Sequence, residues 1–265
     1  MDYCPFITSL LNESSQIARN NFGKVSGTVK KNDNNQVLTE TDLAIGKLLV
    51  ERIKKEFPSH NIVDEESGVL DNQSEYTWII DPIDGTSNFA VGLSTYGIMI
   101  GLLKEGAPIA GGIALPSFDE TYVAISNEGV FCSGEKIQVE SNQNLLSSLI
   151  SYGIDGHQEN PQFTKKECEI LAEIILNIRN LRSSNSCYDV IQVVEGKYGA
   201  WINRSQKIWD NVAEHIVAEE AGLKVTDFEG KKLDYSNSVK RTKEEFTICI
   251  APPKIHEELM KIIHP

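Results

Sequence analysis

The chain has 265 residues, 40% of them hydrophobic and 24% charged, which is enough apolar material for one large core or two intimately packed halves. Its formal net charge of −13 sets it against polyanions, so neither a nucleic-acid polymer nor an anionic membrane surface is an expected partner. No apolar run reaches the ~20 residues of a membrane span, and the five scattered cysteines (Cys4, Cys132, Cys168, Cys187, Cys249) lack zinc or redox spacing.

The N-terminus, Met1 to Pro5, has neither the basic nor the apolar region of a signal peptide, and the cysteines read as reduced thiols, so a cytoplasmic protein is expected. Residues 5–22 place Phe6, Ile7, Leu10, Leu11, Ile17, Ala18 and Phe22 at helical spacing, with Gly23 after the end. Residues 42–57 repeat the pattern with Ile45, Leu48, Leu49, Ile53 and Phe57, and Pro58 stops it. Between them, Lys30 to Asn35 is a polar stretch that reads as a loop. Apolar runs at Trp78–Ile80, Tyr96–Leu103, Pro108–Leu115 and Thr121–Ile125 predict strands. Beyond residue 146, predicted strands (148–152, 198–202, 246–250) alternate with predicted helices (165–178, 186–196, 209–221, 254–263). The expectation is an α+β half over 1–145 and an α/β half over 146–265, packed as one unit.

Three acidic clusters sit beside element ends: Asp64-Glu65-Glu66-Ser67, Asp81-Pro82-Ile83-Asp84-Gly85-Thr86, and Trp209-Asp210. In the second, a buried strand delivers the Asp81 carboxylate at the edge of the core, Asp84 returns another three residues on, and Gly85 lets backbone pass close to a ligand. The Gly85 and Thr86 amides can face an anion there. Carboxylates alone repel one another and a phosphate; a hard, oxygen-loving cation such as Mg2+ resolves the conflict. Each cluster also has a plain structural reading: a polar turn for 81–86, a solvated pair for Glu65-Glu66, and a helix N-cap for Asp210. Their combination in one chain favours the metal.

Asp81 to Phe89 resembles the first signature of the inositol monophosphatase family, and Trp209-Asp210-Asn211-Val212-Ala213 with Glu219 to Gly222 is similar to the second. Thr39-Glu40-Thr41-Asp42, Asp64 to Ser67 and Gly129 to Gly134 look like three further elements of that family, in family order, with Asp64 standing where the family has Gly. The resemblance implies a layered αβαβα sandwich, commonly a homodimer, that uses two to three Mg2+ ions, is often lithium-sensitive and hydrolyses a small phosphorylated metabolite by metal-activated water. It implies Glu65, Asp81, the Ile83 carbonyl, Asp84 and Asp210 as metal ligands. Glu65 and Thr86 would position or deprotonate the water, and Asp42 would orient the Thr86 hydroxyl while also capping its own helix. Gly85, Thr86 and Lys31 would meet the phosphate; Lys30-Lys31 also reads as a solvated pair.

The implied substrate contacts are Asn185, Ser186, Cys187 and Asn203. Asn185 stands where the family has Gly, Cys187 where it has Ala, and Asn203 where inositol-selective members have a hydroxyl-accepting Glu. Inositol monophosphate leads, with histidinol phosphate, fructose 1,6-bisphosphate, adenosine 3′,5′-bisphosphate and NADP as rivals. A non-catalytic binding protein on the same scaffold is the reading from another class; loss of a metal carboxylate would favour it, and Glu65, Asp81, Asp84 and Asp210 are all present. The five histidines show no ligand spacing and read as surface or packing residues, and Glu214, Glu219 and Glu220 read as a solvated helix face. Gly111-Gly112 reads as a strand bulge or close packing, and Tyr188 and Asp189 as ordinary helix residues that can reach the pocket.

Overall fold

The computed structural model describes residues 2–30, 37–139 and 144–264. The first half opens with α1 (Tyr3–Asn21), β1 (Thr28–Val29), β2 (Val37–Leu38) and α2 (Glu40–Glu56). There follow β3 (Asn61–Asp64), β4 (Gly68–Leu70), β5 (Tyr76–Asp84), the short α3 (Thr86–Ala90), β6 (Gly97–Lys104), β7 (Ala107–Leu115), β8 (Glu120–Ile125), β9 (Gly129–Cys132) and β10 (Glu135–Ile137). The second half contains β11 (Leu149–Gly153), α4 (Pro161–Leu176), β12 (Asn180–Arg182), α5 (Cys187–Val194), β13 (Ala200–Gln206), α6 (Ile208–Glu220), β14 (Lys224–Thr226), β15 (Phe246–Ala251) and α7 (Pro253–Ile263).

Strands β3 to β10 form an eight-stranded sheet in the order β10-β9-β8-β7-β6-β5-β3-β4, antiparallel except for the β3–β5 pair. A five-stranded sheet runs β12-β11-β13-β15-β14, with β11 parallel to both of its neighbours, and β1 and β2 form a separate antiparallel pair. Helices α1 and α2 bury Ile7, Leu10, Leu11, Ile45, Leu49 and Ile53 on one face of the large sheet. Helices α5 and α6 fill the space between the sheets. Ile174 of α4 and Ile255, Leu259 and Ile263 of α7 close the far face of the small sheet. The layering is αβαβα, as expected.

The position of α6 follows from glycine. Residues on successive positions of a strand face opposite sides, and β7 spends Gly111 on one side and Gly112 on the other. A Cβ on Gly111 would lie 2.6 Å from the Ile216 side chain of α6, and one on Gly112 would lie 2.7 Å from Leu11 of α1. Gly101, paired with Gly111 across β6 and β7, would carry a Cβ 2.5 Å from Val212. Both helices therefore seat directly on the sheet. Gly111-Gly112 is close packing; the β6–β7 irregularity falls at Leu102/Leu103 instead.

Sandwiching between two sheets also changes the burial of α6. Every residue from Asn211 to Ala218 is buried. Glu214 is thus not on a solvated face. It is 1% exposed and accepts from Trp201 Nε1 at 3.0 Å and Gln206 Nε2 at 2.9 Å. Glu220 also departs from that reading, since its carboxylate accepts the backbone N–H groups of Asn127 and Gly129, at 2.8 Å each, and ties down the β8–β9 turn. His215 and His256 are packing residues, in contact with the Tyr235 and Thr226 hydroxyls.

Candidate active site

A cavity of about 550 Å³ opens where the end of β5 faces the start of α6. Strand β5 reaches it through a bulge. Asp81 pairs with Met99 and Asp84 with Gly97, so three steps on β5 match two on β6. Pro82, which has no N–H to give the ladder, sits inside that irregularity. In a regular strand Asp81 and Asp84 would point to opposite faces; the extra residue turns both toward the cavity, while Ile83 is left 1% exposed in the core.

Asp210 arrives from the third position of α6. Its Oδ2 accepts Lys207 N–H at 2.6 Å, which caps the helix and fixes the carboxylate. Carboxylate oxygens of Asp81, Asp84 and Asp210 lie within 4.8 Å of one another. Asp84 Oδ2 accepts the Cys187 N–H, joining β5 to the start of α5. Asp81 Oδ1 is buried with no hydrogen-bond partner among the described residues.

Burial raises every carboxyl in this group. Asp84 is pushed up to about 6 by burial, with the Cys187 N–H working against it. Asp210 is pushed up to about 7 by burial, and the Asp84 carboxylate adds to the rise. Glu65 goes up to about 7 by burial, with Lys30 opposing and Asp210 adding. Asp81 is driven well above the ordinary carboxylate range by burial and then by Glu65, Asp84 and Asp210. Such a cluster is short of positive charge. An all-oxygen donor set with an unpartnered buried carboxylate oxygen fits a hard divalent cation.

The positive charge that does approach comes from Lys30, whose Nζ lies 2.8 Å from Glu65 Oε1 and 2.7 Å from Glu66 Oε1. Burial works against its charge, but the two carboxylates outweigh burial and hold the lysine protonated. Lys31, the residue expected at the phosphate, lies outside the described residues.

Thr86 sits beside the acids. Its hydroxyl is 2.7 Å from the Ile83 carbonyl oxygen and 3.2 Å from Asp42 Oδ1. Asp42 is 1% exposed, and its Oδ2 accepts the Thr39 N–H at 2.9 Å. Thr39 is thus the N-cap of α2, and Asp42 completes the box from three residues on, so one side chain both closes the helix and touches Thr86. Gly85 has φ +77°, and a Cβ there would meet Ser186 Cβ at 2.9 Å and Thr95 O at 3.2 Å; only glycine lets β5 turn into α3 at this spot.

The other wall comes from the second half. Asn185, Ser186 and Asn203 line the cavity. The Cys187 side chain does not, being fully buried against Gly97; its part in the site is the N–H on Asp84. Asp189 is buried below the wall and accepts the N–H groups of Ser184 and Asn185 at 3.0 Å each, shaping the loop from behind. Asp155, Trp201 and Gln206 line the cavity as well and carried no local sequence signal.

Residues 5–264 match the model of the inositol monophosphatase family. A Thermotoga maritima protein named fructose-1,6-bisphosphatase/inositol-1-monophosphatase is 31% identical over 100% of this chain and 96% of its own. A protein of the same name from Aquifex aeolicus is 32% identical over 78% of each chain. Among solved structures, an IMPase from Thermotoga maritima superposes with a TM-score of 0.85 at 28% identity, covering 99% of this chain and 97% of that one. An IMPase/NADP phosphatase complexed with Mg2+ and phosphate gives 0.82 at 25% identity, over 98% and 94%. The fold and the site define a phosphatase, a hydrolase of phosphate monoesters. The chain belongs to the inositol monophosphatase family.

Proposed function

We propose that the chain is a Mg2+-dependent phosphomonoesterase acting on a small phosphorylated metabolite. The convergence of Asp81, Asp84 and Asp210 within 4.8 Å, beside the Thr86 hydroxyl, carries this reading. Glu65, Asp81, the Ile83 carbonyl, Asp84 and Asp210 would hold the metal. Bound there, Mg2+ would supply the positive charge that a phosphate monoester needs and acidify water at neutral pH. The chain's own groups do the rest. The Gly85 and Thr86 N–H groups receive the phosphate oxygens. Glu65, which lines the same cavity, would position the attacking water or take its proton. Asp42, whose Oδ1 lies 3.2 Å from the Thr86 hydroxyl, would help orient that side chain toward the water. Inositol monophosphate is the leading substrate, with fructose 1,6-bisphosphate second because both appear in the names of the relatives at 31% and 32% identity.

Thr86 gives a test that separates chemistry from folding. Thr86→Ala removes the hydroxyl and is expected to slow phosphate release about a hundredfold. Thr86→Ser restores the hydroxyl and most of the rate. Measured kcat for both variants on one phosphate monoester decides it; full activity in Thr86→Ala would remove the hydroxyl from the reaction.

A further inference from the structure

Helix α6 delivers Asp210 to the cavity, and two kinds of contact fix where that helix lies. Toward the large sheet it presents Val212 and Ile216, whose side chains fit over Gly101 and Gly111. Those contacts are apolar. They set how close the helix comes, but they have no direction and leave its rotation about its own axis loosely defined. At about 3.6 residues per turn, Asp210 and Glu214, four apart, share the opposite face. There the helix meets β13 through side-chain hydrogen bonds. Glu214 Oε2 takes two of them, from near the two ends of that strand: Trp201 Nε1–H at 3.0 Å and Gln206 Nε2–H at 2.9 Å. The Gln206 amide is engaged at its other end too, because its Oε1 accepts Asn211 Nδ2–H at 2.6 Å. Asn211 Oδ1 in turn accepts the Tyr235 hydroxyl at 3.4 Å. Trp201, Gln206, Asn211, Glu214 and Tyr235 are all buried, and none of their buried nitrogen and oxygen atoms lacks a partner.

We infer that Glu214 is a positioning residue: it fixes the rotation of α6 against β13, so that Asp210, one turn earlier on the same face, presents its carboxylate beside Asp81 and Asp84. The backbone alone does not fix this position. β13 leaves its ladder just before the helix, since Asn203 pairs with Ile248 and Gln206 with Phe246, three steps on β13 against two on β15. Gln206 ends the strand, Lys207 is the N-cap, and Asp210 stands in the first turn. The place of Asp210 therefore depends on side chains that bridge the junction, and Glu214 with Asn211 grips Gln206 from both ends of its amide. A carboxyl buried between two sheets is costlier than an apolar side chain of the same size. What a fully satisfied polar network returns is one defined arrangement, which apolar packing does not supply. Glu214 is not a wall of the cavity; Trp201 and Gln206, the two residues that donate to it, are.

This inference rests on Asp210 being a metal ligand of the proposed phosphatase, and it is read on Mg2+ binding, apart from turnover. We would measure the Mg2+ Kd by calorimetry, the metal-free melting temperature, and kcat on p-nitrophenyl phosphate. The proteins are the unmodified chain, Glu214→Leu, Glu214→Gln and Thr226→Val. Glu214→Leu fills the site but accepts no hydrogen bond. It should raise the Mg2+ Kd about tenfold and lower kcat at saturating Mg2+ by about tenfold or more. Glu214→Gln still offers an oxygen to Trp201 and Gln206 and should restore most of both. Thr226→Val removes a buried hydroxyl in β14 that lies 2.7 Å from His256 Nε2, and should lower the melting temperature without changing the Kd. A Glu214→Leu chain with a lowered melting temperature and an unchanged Kd would make Glu214 a support of the core only and overturn the inference. So would a Kd that rises as much in Thr226→Val, or a Glu214→Gln chain as impaired as Glu214→Leu. Should Glu214→Leu not fold, Gln206→Met, which removes the amide between Glu214 and Asn211, carries the same expectation of an about tenfold higher Kd; an unchanged Kd there overturns the inference. Mg2+ binding without phosphate release by the unmodified chain would overturn the phosphatase reading and leave this inference standing. No Mg2+ binding would overturn both.

Discussion

Asp84→Asn is expected to fold normally and to release phosphate at least about a thousandfold more slowly than the unmodified chain. The substitution keeps the shape of the side chain, and the Asn oxygen can still accept the Cys187 N–H that ties β5 to α5. What it removes is one negative charge from a group of three, of which Asp81 is buried and Asp84 and Asp210 are half-buried. Without metal, that charge is a burden: burial has already pushed Asp84 up to about 6. The metal-free variant should therefore be at least as stable as the unmodified chain in thermal unfolding, while its Mg2+ affinity and its rate both collapse. A variant with a normal unfolding curve and a normal rate would remove Asp84 from the site. A variant that fails to fold would be uninformative alone, so the melting temperature is part of the measurement.

Mg2+ should stabilise the chain strongly near pH 8 and little near pH 5, and the sign follows from the raised carboxyls. Asp84 at about 6, and Glu65 and Asp210 at about 7, hold protons in the folded chain that the unfolded chain gives up near 4. A raised carboxyl contributes stability in full below its unfolded value and loses it as pH rises through its folded value. Over about pH 4 to 7 the metal-free fold thus gives up stability on the order of several kcal/mol. His256, lowered to about 4 chiefly by burial, works in the opposite direction below its ordinary value. Comparing melting temperatures with and without Mg2+ at each pH cancels His256 and isolates the site. Mg2+ replaces the protons, so its stabilising effect should grow across that window, with protons released on binding. A Mg2+ effect independent of pH would mean that these carboxyls do not hold the ion.

The elements that carry the site were legible because each has a local cause. The apolar run into Asp81, the Pro-x-Asp-Gly turn and the Thr39-x-x-Asp42 box are short patterns whose physics is complete within a few residues. What stayed hidden depends on partners distant in sequence. Asp210 reads as an N-cap, but the cap position belongs to Lys207, a residue that gives no capping signal, and Asp210 closes the box from inside the helix. Glu214 reads as solvated because a helix periodicity assumes one wet face, and α6 has a sheet on both sides. Asp155 reaches the cavity only because β11 runs parallel to β13, which places Gly153 beside Asn203. The short strands β4, β9, β10, β12 and β14, of three or four residues each, sit beside longer strands or at sheet edges and lack the alternation that would mark them.

The first and second halves of the chain share one hydrophobic core, in which α5 and α6 pack on the large sheet, and the cavity opens where the end of β5 faces the start of α6. β5 supplies Asp81 and Asp84, and α6 supplies Asp210. Gly101 and Gly111 let α6 approach the sheet closely enough for the three carboxylates to converge. The fold contributes to function chiefly through that approach, since no one of these acids is unusual in its own element.

The most direct test is phosphate release from one monoester by the purified chain, first with Mg2+, then with the metal chelated, then with Mg2+ restored. The arrangement of Asp81, Asp84 and Asp210 predicts release that stops on chelation and returns with the metal. Release that continues undiminished in the chelator, or none at any Mg2+ concentration, would contradict it.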